Sequence, residues 1–284
     1  MATHPYTVLD VFTDAPLAGN GLAVVHDADG VPDAVMQALA RETRLSETSF
    51  VQSGGDGADY RHRIWMMGGE IPFAGHPSLG AAVAVARIRG ESRATYVQRT
   101  GAGLQPIDVE LDGTRAHASM RQEPARFGPE LDPMDVLGTV RLEEDDADPT
   151  LPVQVVSTGV PQVIAPVRDA GAVGRAWADY DAIGPLLRAH DAIVLYVAWI
   201  DAETGRARAR GFCRTAEEGE DPATGSAAGP LCAYAHARLG VAALDIAQGE
   251  EIGRPSALRA SMEDDRVRVG GDVVLLAEGH IHLP

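Results

Sequence analysis

Apolar and polar positions alternate from Tyr6 to Phe12, which predicts a strand, and the cluster of Pro16, Gly19, Asn20 and Gly21 breaks it. Leu22 to Val25 resumes the pattern, so the two segments read as a hairpin. The spacing then changes. From Pro32 to Arg44, residues Val35, Met36, Leu39, Ala40 and Thr43 recur at helical intervals, with Pro32 and Asp33 in the first turn. This helix hands over to Leu45–Val51, a strand that carries a carboxylate at Glu47. Glutamate is disfavoured in strands, and an outward-facing place on an edge strand is the bland explanation for it. Further strands are predicted at Tyr60–Met67, Thr95–Arg99, Ile107–Leu111 and Ala116–Arg121. An Ala- and Val-rich helix ending near Arg89 precedes the last three.

Between Gln122 and Thr150 the composition shifts to Pro, Glu and Asp, ending in Glu143–Asp146, and predicts a solvated linker. Domains are therefore expected over residues 1–122 and 123–284, with the terminal strand a candidate to cross back into the first. The second half repeats the order of the first. Strands at Val153–Ser157 and Val160–Val167 precede a helical region around Trp177–His190. Strands at Ile193–Ile200 and Ala207–Cys213 then lead to an apolar helix over Leu231–Leu239. Two short strands, Arg266–Val269 and Val273–Ala277, close the chain. Mixed strands with one main helix per half predict an α+β fold.

A chain of 284 residues, 45% of them hydrophobic, can bury a sizeable core. Its formal charge of -17 opposes nucleic acid and anionic membranes as partners. All 24 basic residues are Arg, so a pyridoxal phosphate Schiff base, a lysine nucleophile and a Walker A lysine are excluded. The only cysteines, Cys213 and Cys232, make no disulfide framework, and no apolar run of membrane-spanning length occurs. A cytoplasmic location is expected.

Glu220–Gly229, reading Glu-Asp-Pro-Ala-Thr-Gly-Ser-Ala-Ala-Gly, sits directly before the apolar helix of the second half. A helix start has unpaired N–H groups and partial positive charge, and small residues let an anion approach both. Phe73–Ala82 repeats the design, with Gly75-His76 overlying Gly225-Ser226. Pro77 suits a first helical turn. Pro230 removes an intrahelical bond to Ser226, which predicts that the second helix starts a residue or two late. No metal site is expected: Cys232 with His236, and His280 with His282, each lack a third ligand. The candidates for chemistry are Glu47, His76, Asp221 and Ser226, a set able to move a proton beside a developing negative charge.

Taken in order, Asp10-Val11-Phe12-Thr13 with Gly19-Asn20, Ser46-Glu47-Thr48, Phe73-Ala74-Gly75-His76-Pro77, Glu220–Ala228 and Gln248-Gly249 with Gly253–Ser256 resemble the PhzF-like phenazine-biosynthesis isomerases, relatives of diaminopimelate epimerase. The resemblance implies two pseudo-symmetric domains, each a curved, mostly antiparallel sheet around a central helix, with the active site in the cleft between them, and a homodimer. It implies that Glu47 moves the proton while His76, Asp221 and Ser226 position a small carboxylate-bearing substrate. Ser46, Gly75 and Gly225 would complete the substrate-binding set, without metal or cofactor. The family's best-known substrate is trans-2,3-dihydro-3-hydroxyanthranilate. The epimerase relatives use two opposed cysteines, where this chain has His76 and Ser226. Phe212-Cys213-Arg214 and Pro230 depart from the family pattern. The alternatives to a cofactor-independent isomerase are an epimerase or racemase of an amino or hydroxy acid, and a non-catalytic small-molecule binding protein.

Overall fold

The computed structural model describes residues 1–284 and divides them into two compact units, Met1–Arg121 with Gly270–Pro284, and Gln122–Val269. In the first, β1 (Ala2–Val11) and β2 (Asn20–Val25) form the expected hairpin. Helix α1 (Asp33–Thr43) crosses to β3 (Glu47–Gly55), which lies parallel to β2. β4 (Ala58–Met66) turns back antiparallel to β3 and carries the short β5 (Gly69–Ile71). Helix α2 (Gly75–Arg89) then leads to β6 (Arg93–Thr100), parallel to β4. β7 (Gly103–Asp112) and β8 (Arg115–Arg121) follow as antiparallel neighbours.

The second unit opens with β9 (Arg126–Leu131), helix α3 (Pro133–Leu137) and the antiparallel pair β10 (Val153–Ser157) and β11 (Pro161–Pro166). Helices α4 (Ala170–Arg175) and α5 (Tyr180–Ala189) cross to β12 (Leu195–Asp201), parallel to β11. β13 (Arg206–Phe212) pairs antiparallel with β12 and with the short β14 (Glu220–Asp221). Helix α6 (Gly225–Leu239) leads to β15 (Ala243–Gln248), parallel to β13 and antiparallel to β16 (Ser256–Glu263). β17 (Arg266–Leu283) begins in this unit and, from Gly270, belongs to the first. There it pairs with β1 and β8, so the strand order of the first unit closes on itself.

Both units follow one plan: hairpin, helical crossover, hairpin, central helix, hairpin. Glu70, Gly75, Gly90 and Gln98 recur at one constant interval as Glu220, Gly225, Gly240 and Gln248. The central helices are apolar on every side because each is wrapped by strands. Every residue of α2 from Gly75 to Ala86 is buried, and so is α6 from Ala227 to Ala235. A helix without a polar stripe belongs inside a domain, and small Ala and Gly side chains let the strands approach it.

Three expectations change. The segment predicted as a solvated linker contains β9 and α3, and buries Val136, Leu137, Val140 and Leu142 in one core with Ile183, Leu187 and Leu195. Its acidic composition hides these few apolar anchors. The two short terminal strands are one, because Gly270 does not turn the chain. It lets β17 pass Ser119 and Ala118, where a Cβ would come within 2.6 and 2.8 Å. Finally, α6 starts at Gly225 despite Pro230.

Both central helices end in a left-handed glycine, Gly90 (φ 69°) and Gly240 (φ 74°), whose N–H groups reach back to the last-turn carbonyls. A Cβ at either position meets nothing within 4 Å. Gly90→Ala and Gly240→Ala are therefore expected to lower stability by backbone strain alone, about 1 kcal/mol each and additively, read as shifts in the urea unfolding midpoint.

Candidate active site

Glu47 reaches its place because α1 ends abruptly. Arg44 takes the left-handed conformation (φ 53°) and redirects the chain into β3. Thr48 Oγ1, 2.8 Å from Thr43 Oγ1, ties the strand to the end of that helix. β2 and β4 flank β3, so Glu47 is on an interior strand and not an edge. Its side chain is only 12% exposed. Ser46, by contrast, is exposed in the bend before it.

At the start of α2, Ala74 is the N-cap and gives no side-chain bond. Pro77 has no N–H, and the Ser78 N–H bonds Ala74 O at 3.3 Å. The N–H groups left for a ligand are those of Gly75 and His76. The His76 ring is 5% exposed, with Nε2 3.4 Å from Glu47 Oε2. Burial pushes the His76 pKa down to about 3, so the imidazole is neutral. The contact is therefore a carboxyl group against a neutral ring, not an ion pair, and it is long for a hydrogen bond.

A chain of buried polar groups holds this helix start. Ala74 O accepts from Ser78 Oγ at 2.7 Å, and Ser78 Oγ accepts from Gln98 Nε2 at 2.8 Å. His62 Nδ1 lies 2.9 Å from Gln98 Oε1, and its Nε2 lies 2.8 Å from Ser49 Oγ. Burial lowers the His62 pKa to about 4. The neutral ring then carries one proton, at Nδ1 because Gln98 Oε1 only accepts, and Ser49 donates to Nε2.

In the second unit, Asp221 is half-buried in β14, and its Oδ2 accepts from Thr224 Oγ1 at 2.8 Å. Thr224 is the N-cap of α6, and its carbonyl accepts from both Ala227 and Ala228 N–H, at 2.9 and 3.0 Å. Gly225 and Ser226 are again the residues whose N–H groups the helix leaves over. The carbonyl of Ser226, deprived of its partner by Pro230, faces Gln162 Nε2 at 3.4 Å, and Ser226 Oγ lies 3.3 Å from the same nitrogen. Gln122 Nε2 donates to Gly225 O at 2.9 Å. These two amides explain why α6 tolerates Pro230 without a delayed start.

Gln248, buried and of the Gln-Gly motif, shapes the loop between Asp221 and Thr224. Its Nε2 donates to Asp221 O (2.7 Å) and Thr224 Oγ1 (2.9 Å). Its Oε1 accepts from Thr224 N (3.1 Å) and Tyr196 OH (2.9 Å). Each unit also clamps the strand before its motif loop with a bidentate pair, Arg63 on Glu70 and Arg210 on Glu220. Gln98, Ser78, His62, Gln122 and Gln162 escaped the sequence reading. The one signal available was a Gln following each motif glycine at the same interval.

Cys232 is buried, and burial pushes its thiol pKa up to about 12, which leaves it protonated. Cys213 is half-buried on the loop after β13. No three His, Cys, Asp or Glu side chains converge as a metal-ligand set.

Two α+β units of one plan, each a central helix wrapped by strands and each opening on a motif loop, define a diaminopimelate epimerase-like fold. The family model of phenazine biosynthesis-like proteins, PhzC–PhzF, matches residues 9–279, and the chain belongs to that family. The chain is similar to the trans-2,3-dihydro-3-hydroxyanthranilate isomerase of Pseudomonas fluorescens, 33% identical over 99% of this chain and 100% of the relative. Among solved structures, a predicted epimerase from Pseudomonas aeruginosa is 36% identical with a TM-score of 0.86, covering 98% of this chain and 99% of its own. A PhzF-family phenazine biosynthesis protein from Bacillus anthracis is 27% identical, also with a TM-score of 0.86, over 99% of this chain and 100% of its own. The chain is an isomerase of this family.

Two outcomes follow from the geometry. Gln248→Leu strands the Thr224 N–H, the Tyr196 hydroxyl and the Asp221 carbonyl. It is expected to lower stability by about 3 kcal/mol and to speed hydrogen exchange at the Thr224 amide. Acid sensitivity is the second. His26, His62 and His76 have pKa values lowered by burial from 6.5 to about 4, 4 and 3. The unfolded chain binds these protons below about pH 6.5 and the folded chain does not, so stability is expected to fall from there towards pH 4. His76→Gln should reduce that slope by about 1.4 kcal/mol per pH unit, measured by urea unfolding at pH 5 and pH 6.

Proposed function

We propose that this protein isomerises a small carboxylate-bearing molecule without a cofactor, using Glu47 to carry a proton from one carbon to another. The observation that carries the reading is the Glu47 carboxyl group against the buried, neutral His76 ring, at a helix start whose remaining donors are the N–H groups of Gly75 and His76. A carboxylate that is largely shielded from water keeps its proton long enough to return it to the same molecule.

In the first step the substrate C–H bond breaks, its proton bonds to Glu47, and the electron pair enters the neighbouring π system. In the second step the Glu47 O–H bond breaks and a C–H bond forms at the far end of that system. No electrons or protons are gained or lost overall. The Gly75 and His76 N–H groups and the positive end of α2 stabilise the intermediate's negative charge. The His76 ring holds the carboxyl group and the substrate in register. Asp221, Gly225, Ser226 and Ser46 are assigned to binding the substrate's polar groups. The names of the Pseudomonas relatives make trans-2,3-dihydro-3-hydroxyanthranilate the first substrate to offer.

The likeness to a predicted epimerase favours a second reading, inversion at a single carbon. One experiment separates the two. The purified protein is followed by proton NMR in deuterium oxide with this substrate and with a panel of small amino and hydroxy acids. Isomerisation places hydrogen or deuterium on a new carbon, whereas epimerisation exchanges it at the original one. Glu47→Gln is expected to lower the rate about 10³-fold while substrate binding persists. Undiminished turnover in that variant would remove Glu47 from the chemistry.

A further inference from the structure

On the first unit, a concave pocket of about 640 Å³ opens beside β4 and β6, and Arg61, Arg63, Arg99, Asp56, Glu70 and Thr100 contribute to its lining. The three arginines are not equivalent. Arg63 is saturated, with Glu70 gripped bidentately and Asp33 Oδ1 at 2.7 Å. Arg61 and Arg99 face each other in the parallel register of β4 and β6. Like charges placed directly opposite on neighbouring strands repel, so this pair is unfavourable as it stands.

The nearby carboxylates relieve it only in part. Glu70 is occupied by Arg63, and Asp33 feels the charge of Arg61 but bonds Arg63. The Asp56 carboxylate, its side chain 93% exposed, makes only a long, solvent-screened ion pair with Arg99, Oδ2 to Nη2 4.0 Å. His62, which also borders the pocket, is neutral and bonded to Gln98 and Ser49. Arg99 is held rather than free, because its Nη2 donates to the Asp56 carbonyl at 2.6 Å. Its Nε is buried without a partner. In a chain of formal charge -17, two guanidinium groups, the held Arg99 and the exposed Arg61, line one cavity.

We propose that this pocket binds a small oxyanion, a phosphate or carboxylate group, between Arg61 and Arg99. An oxyanion accepts two parallel N–H bonds from a guanidinium fork, which would use the idle Arg99 Nε–H and screen the repulsion between the two strands. Glu47 and His76 are not among the lining residues, so the site is separate from the proposed chemistry and does not rest on the isomerase reading.

The test is a titration of the whole protein with inorganic phosphate at constant ionic strength, following the arginine Nε–H signals by NMR. The expected result is a saturable shift of the signals that disappear in Arg61→Gln and Arg99→Gln, with an apparent Kd of about 1 mM. Each single variant should weaken binding about tenfold or more, while Glu47→Gln leaves it unchanged. Displacement of phosphate by malonate identifies carboxylate as an equal occupant; failure to displace it identifies phosphate. Shifts no larger than those made by chloride, or shifts of equal midpoint in both arginine variants, would overturn the proposal.

Discussion

The first N–H groups of a helix have no partner inside it, and burying them away from water costs about 1–3 kcal/mol for each donor left unmet. Both central helices of this protein begin on a buried glycine. Pro77 and the Ser78 bond reduce the open donors of α2 to Gly75 and His76, and the doubly bonded Thr224 carbonyl does the same for α6. Such a helix start is stable only if the surrounding chain holds it rigidly, and it is relieved when an anion arrives. The bidentate Arg–Glu pairs and the buried Gln98 and Gln248 supply that rigidity, each at the corresponding place in its own unit.

Duplication makes the two helix starts alike in backbone and leaves their side chains free to differ. The first has His76 with Glu47 beside it; the second has Ser226, with Asp221 tied to Thr224. A hydroxyl bonded to a carboxylate is suited to holding a polar group, and a carboxyl group against a neutral ring is suited to exchanging a proton. The low dielectric around His76 sharpens the difference, because burial keeps that ring uncharged at any physiological pH. A charged imidazole there would form a fixed ion pair with Glu47 and hold its carboxylate away from carbon acids.

The motif loops, the central helices and most strands were legible because their signals are local: Gly and Pro at a helix start, alternation in a strand, Ala all around a helix. What escaped is non-local. Gln98 in β6 looks like an ordinary polar position of an alternating strand, and although Gln248 in β15 belongs to a motif, only the folded chain shows both bonded to helix starts. Glu47 was legible as an oddity, but its interior strand was not, since pairing with both β2 and β4 is a property of topology. The segment after Gln122 misled because four apolar anchors are outnumbered by Pro, Asp and Glu. Composition averages over residues, whereas packing needs only the few that point inward.

The departures at Phe212-Cys213-Arg214 acquire a physical meaning from the same logic. Phe212 is buried, with the Arg210 guanidinium 4.9 Å above its ring. The Cys213 N–H bonds Gly219 O at 3.0 Å, and Arg214 Nε bonds Ala192 O at 2.8 Å. Arg214 N also donates to Glu218 Oε2 at 3.1 Å. These bonds close the loop between β13 and β14 and so fix where Glu220 and Asp221 begin. Through Gln248 and Thr224 that position is passed on to the start of α6. The departure therefore acts on the placement of Asp221 and Ser226 and leaves the Glu47–His76 pair of the first unit untouched.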